Sequence, residues 1–97
     1  MLLSYSINGS GVPLVFLHGY LENKELWKDF SASFIKNQVI CIDLPGCGLS
    51  PVQHEQSIES MALSVYDTLT EMKIQNAFFV AHSMGGYVAL ALADMHP

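Results

Sequence analysis

Ala77-Phe78-Phe79-Val80-Ala81-His82-Ser83-Met84-Gly85-Gly86 is the stretch that decides the fold of this chain. Its first five residues are apolar without polar alternation, which suits a strand covered on both faces. They run directly into Ser83 and then into a helix over about residues 84–95. Val88, Ala89, Leu90, Ala91, Leu92 and Ala93 make that helix apolar nearly all round, as in a deeply buried helix. A serine on so abrupt a strand-to-helix turn has its hydroxyl held out above the sheet. Ala81 and Gly85, two positions to either side, are small enough for strand and helix to approach closely. The helix start also offers backbone N–H groups and positive dipole character where an anion can be held. The plainer alternative is a serine that N-caps a buried helix.

The rest of the chain repeats the same alternation. Residues 2–7 form a short strand closed by the turn Asn8-Gly9-Ser10-Gly11, and Pro13-Leu14-Val15-Phe16-Leu17 is a buried-type strand. Asn23 caps a helix expected over residues 24–36, with Leu26, Trp27, Phe30, Phe34 and Ile35 on one face. A further strand, Gln38-Val39-Ile40-Cys41-Ile42, ends in Asp43-Leu44-Pro45-Gly46. After a polar loop, Ser57 caps a helix with Ile58, Met61, Ala62, Val65, Leu69 and Met72 at helical spacing. Three strand-then-helix units in succession predict an α/β fold, a parallel sheet of βαβ units. Pro97 stands where the last helix should stop, so the fold is expected to break off after the helix that follows Ser83.

Composition narrows the function classes. Of the 97 residues, 51% are apolar and 13% charged, enough for a packed core and too little charge for a disordered tail. The mean hydropathy of +0.31 is high for a small free-standing domain and points to an apolar face meant for something else. The net charge is -5 and Lys and Arg form no cluster, which excludes a nucleic-acid footprint. Cys41 and Cys47 make neither a disulfide framework nor a metal site. The first residues lack the basic and apolar regions of a secretory signal, and no stretch is long enough to span a bilayer. A cytoplasmic location is the expectation, and Asn8-Gly9-Ser10 reads as a turn rather than a glycosylation site.

Two more segments join the serine turn. Leu14-Val15-Phe16-Leu17 leads into His18-Gly19-Tyr20, and Asp43-Leu44-Pro45-Gly46-Cys47-Gly48-Leu49-Ser50 follows the next strand. In order and approximate separation the three segments resemble the front part of the α/β-hydrolase fold, of the serine esterase or acyl-hydrolase type. Ala81 departs from the usual Gly at the start of the serine motif, and Cys47 stands where His is common. The resemblance implies that Ser83 is the nucleophile and that the Tyr20 and Met84 backbone N–H groups form the oxyanion hole. It implies a small-molecule ester or other acyl substrate and no metal or organic cofactor. It also implies that residues 1–97 are the N-terminal part of a single domain.

The triad acid and histidine of such enzymes follow the serine in chain order. Only Asp94 and His96 do so here, and at ~1.5 Å rise per residue His96 lies roughly 20 Å along the helix axis. His82 is expected to pack beside the turn, and His54 sits in a polar loop without an obvious partner. His18 is the one substitute base to consider, since its strand should lie beside that of Ser83. The strand before Ser83 would present an open apolar edge, which predicts self-association or cover by a missing C-terminal portion. The reading from a different class is a non-catalytic binding or assembly module that keeps the front half of the fold.

Overall fold

The computed structural model describes residues 1–53 and 56–96; His54 and Pro97 lie outside the described residues. Four strands form one sheet: β1 (Tyr5–Asn8), β2 (Val12–Leu17), β3 (Asn37–Ile42) and β4 (Phe78–Ala81), in the order β1-β3-β2-β4. β2 pairs in parallel with β3 (Leu17 opposite Ile42) and with β4 (Leu17 opposite Ala81). The expected parallel βαβ arrangement is therefore the core of the sheet. β1 adds an antiparallel edge, with Tyr5 opposite Ile42. It begins later than residues 2–7 suggested because Leu3 leaves the sheet. That side chain is buried, and its N–H donates to Thr68 Oγ1 at 3.0 Å.

Alternation along β2 explains why the strand reads as a continuous apolar run. Val15 and Leu17 face one side with Ile40 and Ile42, while Leu14 and Phe16 face the other with Val39 and Cys41. On the first side lie α2 (Ile58–Glu71) and α3 (Met84–Met95). α2 starts on a reciprocal cap in which Ser57 and Ser60 each accept the other's backbone N–H at 3.0 Å. It buries Met61, Ala62, Val65 and Leu69 against the sheet.

The other side is covered by aromatic side chains rather than by a full helix. The helix expected over 24–36 is a 3-10 turn (Lys24–Trp27) followed by the single-turn α1 (Lys28–Ser31). Asn23 does cap it, accepting the Glu25 N–H at 2.9 Å. Phe16 sits at the centre of a ring cluster, 5.2 Å from Trp27, 6.2 Å from Phe30 and 5.8 Å from Phe34. Tilted contacts with Trp27 and Phe34 and an edge contact with Phe30 bring all three over one ring. The segment then leaves the helix, and tertiary packing overrides the helical spacing.

Among the described residues β4 is an edge strand beside α2 and α3, the open apolar edge that was expected there. Phe78 is 69% exposed there. Between β4 and the two helices runs an open groove of about 670 Å³, lined by Phe79, Ala89, Leu92, Leu69 and Tyr66 among others. No helix among the described residues is long and apolar enough to cross a membrane.

Candidate active site

Ser83 joins β4 to α3 with φ 54° and ψ -116°. This is a left-handed backbone region that a non-glycine residue enters only when its surroundings impose it, at a cost of roughly 1–3 kcal/mol. The surroundings are visible. His82 N–H donates to Leu17 C=O at 3.1 Å, which continues the β2–β4 ladder up to the residue before the serine. Gly86 N–H then closes on Ser83 C=O at 2.9 Å and starts the helix. A Cβ on Gly85 would lie 2.5 Å from Leu17 O and 2.6 Å from His18 O. Only glycine lets α3 come this close to the end of β2. The Ser83 side chain caps nothing, so the N-cap alternative fails. The residue is exposed.

The segment after β2 meets this turn. A Cβ on Gly19 would stand 3.2 Å from Ser83 Cβ, 3.1 Å from His82 Nδ1 and 2.7 Å from Glu22 Oε1. Gly19 to Glu22 form a β-turn closed by Glu22 N–H to Gly19 C=O at 3.2 Å, with Leu21 at φ 62°. The two stretches singled out for oxyanion contacts, Gly19-Tyr20 and Ser83-Met84, are therefore brought together. Among the described residues, neither the Tyr20 nor the Met84 N–H donates to another protein group.

The histidines divide differently from expectation. His18 is fully buried, its Nδ1 is 2.7 Å from Gly19 O, and its Nε2 is 2.9 Å from Leu44 N. An amide N–H can only donate, so Nε2 accepts and Nδ1 carries the proton. Both ring nitrogens are occupied, and His18 cannot serve as the base for Ser83. His82 lies beside the turn but is exposed rather than packed, and its Nδ1 lies 3.2 Å from Glu22 Oε1. His96 stacks on Tyr66 at 3.7 Å, at the far end of α3. Among the described residues no histidine hydrogen-bonds to Ser83.

The third sequence segment braces this arrangement from below. The Asp43 carboxylate is buried and accepts from Lys24 N at 2.7 Å, Lys24 Nζ at 2.7 Å and Leu49 N at 3.0 Å. Burial pushes its carboxyl up, but the Lys24 and Leu49 hydrogen bonds and the Lys24 charge outweigh burial and hold it below its ordinary value. Gly48, at φ 52°, is forced by the same group, because a Cβ there would lie 2.4 Å from the carboxylate. Ser50 Oγ donates to Asp43 O at 2.6 Å and accepts from Ser4 N at 2.8 Å. Burial, and after it the Asp43 charge, push the Cys47 thiol up and disfavour its thiolate.

Glu22 and Lys24 were not singled out from the sequence. The only local sign of Glu22 is a carboxylate three residues beyond Gly19, and its contact with His82 spans 60 positions. Lys24 is 19 positions from Asp43. Among the described residues no group of three or more His, Cys, Asp or Glu is placed to hold a metal ion.

Comparison with known proteins agrees with the geometry. The profile of the alpha/beta hydrolase fold matches residues 12–97. Pimeloyl-[acyl-carrier protein] methyl ester esterase of Vibrio cholerae serotype O1 is 35% identical over 97 residues, covering 99% of this chain and 36% of its own length. Two solved structures superpose closely. A marine microorganism esterase does so with TM-score 0.94 and 31% identity, over 98% of this chain and 37% of its own. Est816, described as an N-acyl homoserine lactone degrading enzyme, gives TM-score 0.92 and 37% identity over 98% of this chain and 38% of its own. The chain thus spans just over a third of the length of these relatives. A strained serine turn, a glycine-paved contact between β2 and α3 and a match over nearly all residues lead to one statement: the chain belongs to the alpha/beta hydrolase fold family.

Proposed function

We propose that this chain is the N-terminal part of a serine hydrolase of the esterase type, with Ser83 as nucleophile. The observation that carries the proposal is the Ser83 backbone, held at φ 54° on an exposed residue with the Gly19 turn against it. Strain of this kind persists only where the fold over-determines it, and it clusters at reacting residues. Ser83 Oγ attacks the carbonyl carbon of an ester or other acyl substrate. As the new C–O bond forms, the carbonyl π pair moves onto oxygen. The Tyr20 and Met84 N–H groups, which have no protein partner among the described residues, donate to that oxyanion. Collapse of the intermediate expels the leaving group, and water then releases the acyl group.

A serine hydroxyl needs a base to take its proton. With His18 tied to backbone at both ring nitrogens and His96 stacked on Tyr66, that base and its acid come from outside the described residues. A C-terminal portion of the same domain, or a second copy, would also cover the apolar groove along β4. The two free cysteines suit a reducing cytoplasm. The relatives' names favour ester and lactone carbonyls.

The test supplies the missing base. The chain and Ser83→Ala are incubated with an activated short-chain aryl ester, with and without imidazole, and acyl adducts are located by mass spectrometry. Imidazole-dependent acylation of Ser83, absent from the variant, is expected. No adduct on Ser83 under any condition would overturn the proposal and favour a non-catalytic binding module.

A further inference from the structure

Glu22 grips Gly19 from both sides. Its backbone N–H donates to Gly19 C=O at 3.2 Å, and its side-chain Oε1 accepts the Gly19 N–H at 2.7 Å. The same Oε1 lies 3.2 Å from His82 Nδ1, one residue before Ser83. Glu22 Oε1, His82 Nδ1 and Ser83 Cβ all lie within 3.2 Å of the single point where a Cβ on Gly19 would stand. One carboxylate oxygen therefore bridges the two backbone segments that carry the Tyr20 and Met84 amides.

At its base the turn is also anchored by the buried His18, whose Nδ1–H donates to Gly19 C=O at 2.7 Å, but that bond does not reach the tip or the serine turn. Tyr20 is 71% and Leu21 83% exposed, so apolar packing does not fix the tip, and Leu21 sits in the left-handed region at φ 62°. A bond from an amide to an ionised carboxylate is shorter and stronger than a neutral one, and the 2.7 Å contact to Gly19 is of that kind. The Gly19 hydrogen bond, and after it His82, keep the Glu22 carboxyl below its ordinary value, so it stays ionised at neutral pH. The His82 contact is half exposed and by itself weak. Its part is to aim the carboxylate and connect it to the serine turn.

We propose that Glu22 is a positioning residue whose carboxylate clasps the Gly19–Glu22 turn to the Ser83 turn through His82, fixing the Tyr20 amide relative to Ser83. The proposal rests on the serine-hydrolase reading for its purpose, though not for its detection. Donors of this sort act only when held within about 0.5 Å of the productive geometry, which an unpacked turn does not achieve alone.

The clasp is tested by amide cross-peaks in the ¹H–¹⁵N NMR spectrum of the full chain. In Glu22→Ala, Gly19 N–H is expected to exchange with solvent about ten-fold faster or more, as suits loss of a bond to a charged group. Met84, on the far side of the gap, should shift with it. Glu22→Gln keeps an acceptor for Gly19 and should restore both. His82→Ala cuts the clasp at its exposed end without touching the core, so it reports even if Glu22→Ala fails to fold. There the diagnostic peak is Tyr20, which should move. A Met84 peak unmoved in Glu22→Ala, or a Tyr20 peak unmoved in His82→Ala, overturns the clasp. On the same samples, imidazole-assisted acylation of Ser83 at saturating ester should slow about ten-fold in Glu22→Ala and recover in Glu22→Gln. A wild-type chain that is never acylated counts against the hydrolase reading alone, because the cross-peaks report the clasp without turnover.

Discussion

Gly85 and Gly86 stand side by side in the first turn of α3, and replacing each with alanine should move stability in opposite directions. Helix propensity alone favours alanine at both by about 1 kcal/mol. At Gly86 nothing lies within 4 Å of the added carbon, so Gly86→Ala should gain up to that amount. At Gly85 the carbon would meet Leu17 O at 2.5 Å, His18 O at 2.6 Å and Leu17 C at 2.8 Å. All three are backbone atoms at the end of a central strand, so no side-chain rotation relieves them. Reaching even the 3.4 Å of ordinary contact requires α3 to withdraw by about 0.9 Å from Leu17 O. Overpacking of a rigid site costs typically 1–3 kcal/mol, and the helix also carries the buried Val88 and Leu92 away from the sheet. The propensity gain offsets a part, leaving Gly85→Ala less stable by up to about 2 kcal/mol. For a domain of this size each kcal/mol is worth about 4–8 °C in Tm. Thermal and urea unfolding of the two variants beside wild type measure the difference. A Gly85→Ala protein as stable as Gly86→Ala would refute the close contact between α3 and β2 on which the site geometry depends.

Two other perturbations probe the strain and the buried charge. Ser83→Gly should raise stability by about 1 kcal/mol, because glycine enters the left-handed region without penalty, whereas Ser83→Ala keeps the strain and should fall within about 0.5 kcal/mol of wild type. Equal urea midpoints for the two variants would sink this account of the serine turn. Lys24→Met removes the cation from the buried Asp43 carboxylate, and breaking such a pair costs ~3–5 kcal/mol. Because the folded Asp43 carboxyl is held below its ordinary value, its contribution is fully present above the unfolded value of about 3.9. It is lost as pH falls through the lower folded value. Urea midpoints of wild type and Lys24→Met should draw together as pH falls below about 3.9, and curves that stay parallel there would remove Asp43 from the explanation.

The serine turn was legible because its cause is local. Strand-type residues, a serine, small neighbours and an apolar helix follow one another within twenty positions, and φ 54° at Ser83 is what that succession requires. The Asp43 segment was legible as one of three segments in a recognisable order, although the reason for Gly48, a carboxylate in the place of its Cβ, is visible only in three dimensions. The helix over 24–36 was misread because Trp27, Phe30 and Phe34 have helical spacing but obey Phe16, a ring on another element. Glu22 escaped for a related reason: its partners Gly19 and His82 are gathered by the parallel pairing of β2 with β4, which no local pattern encodes. His18 looked available because strand adjacency was predictable, whereas the Leu44 N–H that occupies its Nε2 was not.

The sheet order also sets a timetable. β2 lies between β3 and β4, and both of its neighbours are later in the chain than it is. Phe78 follows Leu17 by 61 residues, so at a synthesis rate of about 5–20 residues per second β2 waits roughly 3–12 s for its second neighbour. During that interval Leu14, Val15, Phe16 and Leu17 have β3, the aromatic layer and, towards its end, α2 as shelter. α3 docks after the other described elements, since Gly85 needs the carbonyls at the end of β2 to pack against. Ser83 therefore acquires its high-energy backbone only after everything beneath it is in place. A nascent chain interrupted before that moment carries an ordinary, relaxed serine.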